Sequence, residues 1–164
     1  MQKMSKVKNL DTVSARGERK VSEGIATPEG KLLFKDFNFN SKSHLGGVLF
    51  APFTLDTATG TVSIPDLIPR EMLNAPPHAS HVAFKSAFLK IDFETGAYEI
   101  TYSPDTVRSL DTTVSTVSLV PSAVPTATGV SCYLLLVDFL QEVNGVPYSL
   151  NNGNFNSLTM LEMN

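Results

Sequence analysis

Three histidines, one cysteine and sixteen carboxylates are the groups through which this chain could act on another molecule. His78 and His81 stand three apart, and an extended chain points such residues to opposite faces, so a metal there needs a turn and two further ligands. Cys132 with His44, His78 or His81 would make a nucleophile and base. It lies in the most apolar run of the chain, where a thiol stays protonated and inert. A lone cysteine also excludes an internal disulfide and a cysteine-based zinc site. Asp56, Asp92 and Glu94 fall in turn clusters and suit calcium only if those turns converge, because calcium takes about six to eight oxygens. No phosphate-binding glycine loop, Gly-x-Ser-x-Gly elbow or His-Glu-x-x-His pair occurs. The chain has no Trp, and its ten Phe fall mostly on alternating positions that read as core, which disfavours a sugar site. The expectation is a protein with no catalytic residue, no metal and no cofactor, and not an enzyme.

The elements that would hold such groups are strands. Phe53-Thr54-Leu55 and Val62-Ser63-Ile64 alternate on either side of Asp56-Thr57-Ala58-Thr59-Gly60, which reads as a β-hairpin with Gly60 at positive φ. Val82, Phe84, Phe88, Ile91 and Phe93 precede a turn at Glu94-Thr95-Gly96, and Tyr98, Ile100 and Tyr102 follow it. Val130 to Phe139 is apolar on both faces over much of its length, as a central strand covered on both sides would be. Asn144-Gly145 is the strongest short hairpin signal and joins that strand to Val146–Leu150, where Pro147 marks an edge. Leu158 to Glu162 is a last short strand. With Val21–Ile25, Leu32–Phe39 and Val48–Leu49 also read as extended, about nine short strands result, separated by turn residues. Only Met1 to Asp11 and Pro69 to Leu73 suit a helical turn or two. This pattern predicts an all-β fold, an antiparallel β-sandwich of Ig-like or fibronectin-like kind.

The outline Asp-x-x-Thr-Gly around Asp56 recurs near Asp92, with a fainter echo at Leu110-Asp111-Thr112. The spacings of 36 and 55 residues share no period, so the repetition reads as one turn solution used again, with Asp accepting backbone N–H bonds. Asn151 to Asn156 reads as a long turn around one aromatic.

At 164 residues with 42% hydrophobic and 18% charged side chains, the chain suits one globular domain. Its net charge of −3 argues against a nucleic-acid partner of the usual basic kind. The charge is uneven. Lys3, Lys6, Lys8, Arg16, Arg19 and Lys20 face only Asp11 and Glu18 within the first twenty residues, while the rest of the chain carries seven basic and fourteen acidic side chains. The division expected is a short basic N-terminal arm over 1–20 and a sandwich over 21–164. A basic arm on an acidic body suits docking onto a neighbouring copy, so those six cations are the candidate partner-binding residues. No signal-peptide core and no apolar run of membrane-spanning length is visible, which makes a cytoplasmic protein the default expectation, although release by assembly or lysis leaves no mark in a sequence.

Several stretches stand together: Arg16-Gly17 with Arg19 and Val21; Phe37-Asn38-Phe39-Asn40; the Asp56…Thr59-Gly60 hairpin; Ala75-Pro76 before His81; Ile91-Asp92-Phe93 with Gly96; and Gln141-Glu142-Val143-Asn144-Gly145 with Tyr148-Ser149-Leu150 and Asn152-Gly153. In these the chain resembles an uncharacterised family of β-rich proteins from Bacteroidota, along nearly its whole length. It departs at His78 and Ser80, where the resemblance leads one to expect Gly and Thr. Family members carry extra residues upstream, so Met1 fits a short member or a trimmed chain. The resemblance implies a β domain and no activity, cofactor or catalytic residue. The function expected from all this is contact: a self-associating structural subunit of a filament or shell-like assembly, forming a homo-oligomer through its arm and edge strands. The alternative is a binding module that recognises a protein or glycan through its loops.

Overall fold

The computed structural model describes residues 2–150 and 154–164. Its helices are Gln2–Asn9 (α1), Val21–Ala26 (α2), Pro28–Leu32 (α3), Leu45–Val48 (α4) and Pro69–Met72 (α5). Its strands are Phe37–Asn38 (β1), Thr54–Asp56 (β2), Thr61–Leu67 (β3), His81–Ile91 (β4), Tyr98–Tyr102 (β5), Thr106–Ser109 (β6), Ser115–Leu119 (β7), Val130–Val143 (β8), Val146–Ser149 (β9) and Ser157–Met163 (β10). A seven-stranded antiparallel sheet runs β1-β10-β8-β4-β5, with β6 also on β4 and β9 also on β8; a three-stranded sheet runs β2-β3-β7. The two sheets form the expected antiparallel β-sandwich. Among the described residues no helix is long and apolar enough to cross a membrane.

The large sheet is organised on the β4–β8 ladder, in which His81–Ile91 pairs with residues 140–130. Residues directly opposite share a face, so Val82 and Phe84 stand beside Phe139 and Val137, while Leu89 and Ile91 stand beside Cys132 and Val130 on the other side. The first set packs against Val62, Ile64, Leu67, Val117 and Leu119 of the small sheet. The second packs against Val7 and Ile25 of the N-terminal helices and Phe34 of the turn after α3, with Met160 and Met163 of β10. This is why Val130 to Phe139 is apolar over most of its length, with Ser131 and Asp138 the exceptions: β8 lies inside the sheet with a covered layer on each side.

The hairpins follow their turn residues. Asp56 Oδ1 accepts from Ala58 N at 2.9 Å, Asp92 Oδ1 from Glu94 N at 2.8 Å and Asp111 Oδ1 from Thr113 N at 2.9 Å. One local solution therefore recurs three times, and it explains the internal echoes. Asn144 and Gly145 both take positive φ, 54° and 79°, the geometry that a two-residue hairpin loop demands. Pro147 lies on the edge strand β9.

The N-terminal third differs from the strand reading. Val21–Ile25 is helix α2, because Val21, Gly24 and Ile25 follow the i, i+3, i+4 spacing of a helix face. Gly24 is needed there: a Cβ on it would stand 2.0 Å from the Val7 carbonyl oxygen, so only glycine lets α1 and α2 approach so closely. Of Leu32–Phe39 only Phe37–Asn38 is strand, since Pro28 starts α3 and Thr27 caps it by accepting from Gly30 N at 3.0 Å. Val48 ends α4, and Leu49 makes an isolated bridge to Leu73. The helical turns expected within Met1–Asp11 and Pro69–Leu73 are present as α1 and α5.

Residues 2–20 are bound into the body. Val7 is fully buried in the same cluster as Cys132 and Met160. Asp11 Oδ1 accepts from Val13 N and Ser14 N, each at 2.9 Å, and Oδ2 accepts from Lys20 N at 2.8 Å. Those backbone donors hold its carboxyl well below the usual carboxylate range.

Candidate interaction surface

The six expected partner-binding cations divide into two groups. Lys3 Nζ donates to Leu33 O and lies 4.6 Å from the centroid of the Phe37 ring. Arg19 Nη1 donates to Asn9 O at 3.3 Å, and Lys20 Nζ meets Glu94 Oε1 at 3.3 Å. Lys6, Lys8 and Arg16 are exposed and form no ion pair among the described residues. The charge available to a second molecule is thus concentrated at Lys6 and Lys8 on α1 and at Arg16.

The groups that could carry chemistry are dispersed. Among the described residues no three His, Cys, Asp or Glu side chains are grouped as metal ligands would be. His44 Nε2 lies 3.0 Å from Ser41 O. His78 takes a φ of 71°, the region glycine occupies freely, at the position where the resemblance led one to expect glycine. Burial pushes the Cys132 thiol up to about 12. Asp56, Asp92 and Asp111 use their oxygens on their own turns, and those bonds lower each pKa.

One constellation was not visible in the spacing. Ser80 Oγ lies 2.9 Å from His81 Nδ1, and Glu142 Oε2 lies 3.6 Å from His81 Nε2. The Ser80 hydroxyl also accepts from Glu142 N at 2.8 Å. It therefore braces the start of β4 against the far end of β8.

The sheet edges are guarded unequally. β5 is covered by the strap over residues 122–127: Ser122 N donates to Tyr102 O at 3.0 Å and Thr101 Oγ1 to Ala123 O at 2.7 Å. Glu99 Oε2 holds the same strap by accepting from Thr126 N at 2.7 Å and Ala127 N at 2.8 Å. On β6 the Val107 carbonyl is occupied by Arg108 Nη1 at 2.9 Å. β7 is drawn against the large sheet, with Ser86 Oγ donating to Leu119 O at 3.3 Å. On β9 the two-residue loop makes Val143 and Val146 a hydrogen-bonded pair, so the next residue, Pro147, faces outward and offers no N–H to an incoming strand.

β2 is different. Among the described residues no strand pairs with its outer edge, and Phe53, 36% exposed, immediately precedes it. Phe50 is 60% exposed three residues earlier. Of the phenylalanines expected mostly as core, Phe34, Phe84, Phe88 and Phe139 are buried and Phe37 and Phe93 pack partly buried against it, whereas Phe39, Phe50, Phe53 and Phe155 are exposed. The turn expected over Asn151–Asn156 lies partly outside the described residues.

No family model, no curated protein and no solved structure matches the chain. The resemblance to β-rich Bacteroidota proteins gains no support from these comparisons.

Proposed function

We propose that this chain is a non-enzymatic structural protein whose copies bind one another, as subunits of a filament or shell-like assembly. The observation that carries the reading is β2, an unpaired strand edge of the small sheet beside exposed Phe50 and Phe53, whereas β5 is covered by the 122–127 strap and β9 carries Pro147. An open edge supplies backbone donors and acceptors to a second strand, and flanking aromatics supply burial. Pairing of β2 with β2 of a second copy is two-fold and closes on itself. Growth beyond a dimer needs a second, unlike contact, and Lys6, Lys8 and Arg16 against the acidic body of a neighbour provide one.

Size-exclusion chromatography with light scattering tests this. The wild type is expected as a species larger than a monomer, and Phe50→Ser with Phe53→Ser, at exposed positions, should reduce it to a folded monomer. Charge reversal at Lys6, Lys8 and Arg16, or added salt, should leave dimers and remove larger species. A wild type that is monomeric at every concentration would refute the reading.

A second reading, a binding module, is favoured by one observation. A cleft of about 340 Å³ opens between the 42–48 and 74–77 segments, where Ser43, His44 and Asn74 stand beside Phe155. Polar groups around one aromatic suit a peptide or glycan, and a monomeric wild type would direct attention there.

A further inference from the structure

A second cleft, of about 280 Å³, lies between the N-terminal helices and the large sheet. Its walls are hydrocarbon, aromatic ring and sulfur: Phe34, Phe37, Ile91, Cys132 and Met163 are among them. Among the described residues the one charged side chain on its lining is Lys3. Phe37, Leu89 and Ile91 of the sheet and Phe93 of the turn after β4 are only partly buried, and all of them border this space. The cleft exists only because α1 is docked, since Lys3 and Met4 form one of its sides.

Lys3 is fixed in position rather than free in solvent. Its ammonium donates to Leu33 O and rests over Phe37, with Phe34 at 6.0 Å. An ammonium has three donors, so two remain for a ligand. An apolar cleft with a single anchored cation matches a molecule that is apolar along its length and anionic at one end. We propose that this cleft binds an anionic amphiphile, a single unbranched chain ending in a carboxylate or a comparable monoanion. The chain would lie over Cys132 and Met163, and the head group would meet Lys3. The volume is near the lower end of the roughly 300–1,000 Å³ usual for small-molecule sites, which suits one medium-length chain rather than a two-chain lipid or a sterol. The thiol of Cys132 serves as a neutral wall, held protonated by its burial.

Isothermal titration calorimetry with decanoate tests the proposal, with decyltrimethylammonium as a probe of equal chain length and opposite charge. One saturable decanoate site is expected on the wild type, together with a raised melting temperature, and decyltrimethylammonium should bind far more weakly. Lys3→Gln keeps the side chain and removes the charge, and should weaken decanoate about tenfold, the usual effect of losing one charge-assisted hydrogen bond. Ile91→Trp fills the cleft from the sheet side and should abolish decanoate binding. Circular dichroism without ligand shows which variants are folded, and either folded variant suffices. Absence of saturable decanoate binding, equal binding of the two probes, or decanoate affinity unchanged in a folded variant would each overturn the proposal.

Discussion

Val7→Ala is the sharpest test of how the N-terminal segment is held. Val7 is 0% exposed on α1, in a cluster with Ile25, Phe34, Cys132, Met160 and Met163. Truncation to alanine removes two carbons, or about 1.6 kcal/mol at roughly 0.8 kcal/mol per buried methylene. The cavity left behind adds up to about 1 kcal/mol, because packed surroundings close only in part. Alanine is the better helix former, which returns up to about 0.6 kcal/mol. The net expectation is a loss of about 1–2.5 kcal/mol. With a urea m-value of about 2 kcal/mol/M for a domain of this size, the unfolding midpoint should fall by about 1 M at unchanged m. Lys8→Ala, an exposed position on the same helix, is the control and should stay within about 0.5 kcal/mol. The sign decides the matter. A Val7 in solvent would make Val7→Ala neutral or slightly stabilising through helix propensity alone, and that result would refute the docking of α1 and with it the cleft beneath it.

Two further outcomes follow from titratable groups. Glu99 has a lowered pKa, chiefly because Ala127 N and Thr126 N donate to it, so its hold on the strap is present above its ordinary value of 4.5 and is lost as pH falls through the lower folded value. Amide hydrogen exchange should therefore show protection of Thr126 and Ala127 at neutral pH, loss of it only in stronger acid, and reduced protection at neutral pH in Glu99→Gln; equal protection in wild type and variant would show that the carboxylate does not hold the strap. Cys132, its thiol pushed up to about 12, should resist iodoacetamide in the native protein and react at once in denaturant, as read by mass spectrometry; rapid native labelling would contradict its burial.

Those features that depend on neighbours in sequence were legible without coordinates. The hairpins at Asp56, Asp92 and Asn144-Gly145 are written in turn residues that select a backbone geometry locally. The doubly covered strand β8 is written in its length and continuous hydrophobicity. The helices α2 and α3 were not read. Over six residues only Val21, Ile25 and Ala26 are apolar, and the four-residue spacing of Val21 and Ile25 puts them on one face of a strand or of a helix alike, so the short window does not separate the two. The usable signal was Thr27-Pro28, a cap followed by a proline at the first helical position. The candidate surface was illegible for a different reason. Whether Phe53 is core or exposed depends on where the small sheet ends, and the position of Lys3 over Phe37 joins residues more than thirty apart. The arm was read from charge alone, and charge does not report that Val7 and Asp11, interleaved with those cations, are interior.

The register of the large sheet sets the pace at which the molecule can assemble itself. Residues 81–91 must find residues 130–140, and residues 157–163 must find residues 132–137, before both edges of β8 are covered. Ladders between such distant stretches form slowly, on the millisecond-to-second scale typical of non-local β topologies. Throughout that interval a fourteen-residue ribbon rich in leucine and valine stands open to any other nascent chain, so yield in a crowded cell depends on how quickly β4 and β10 reach it.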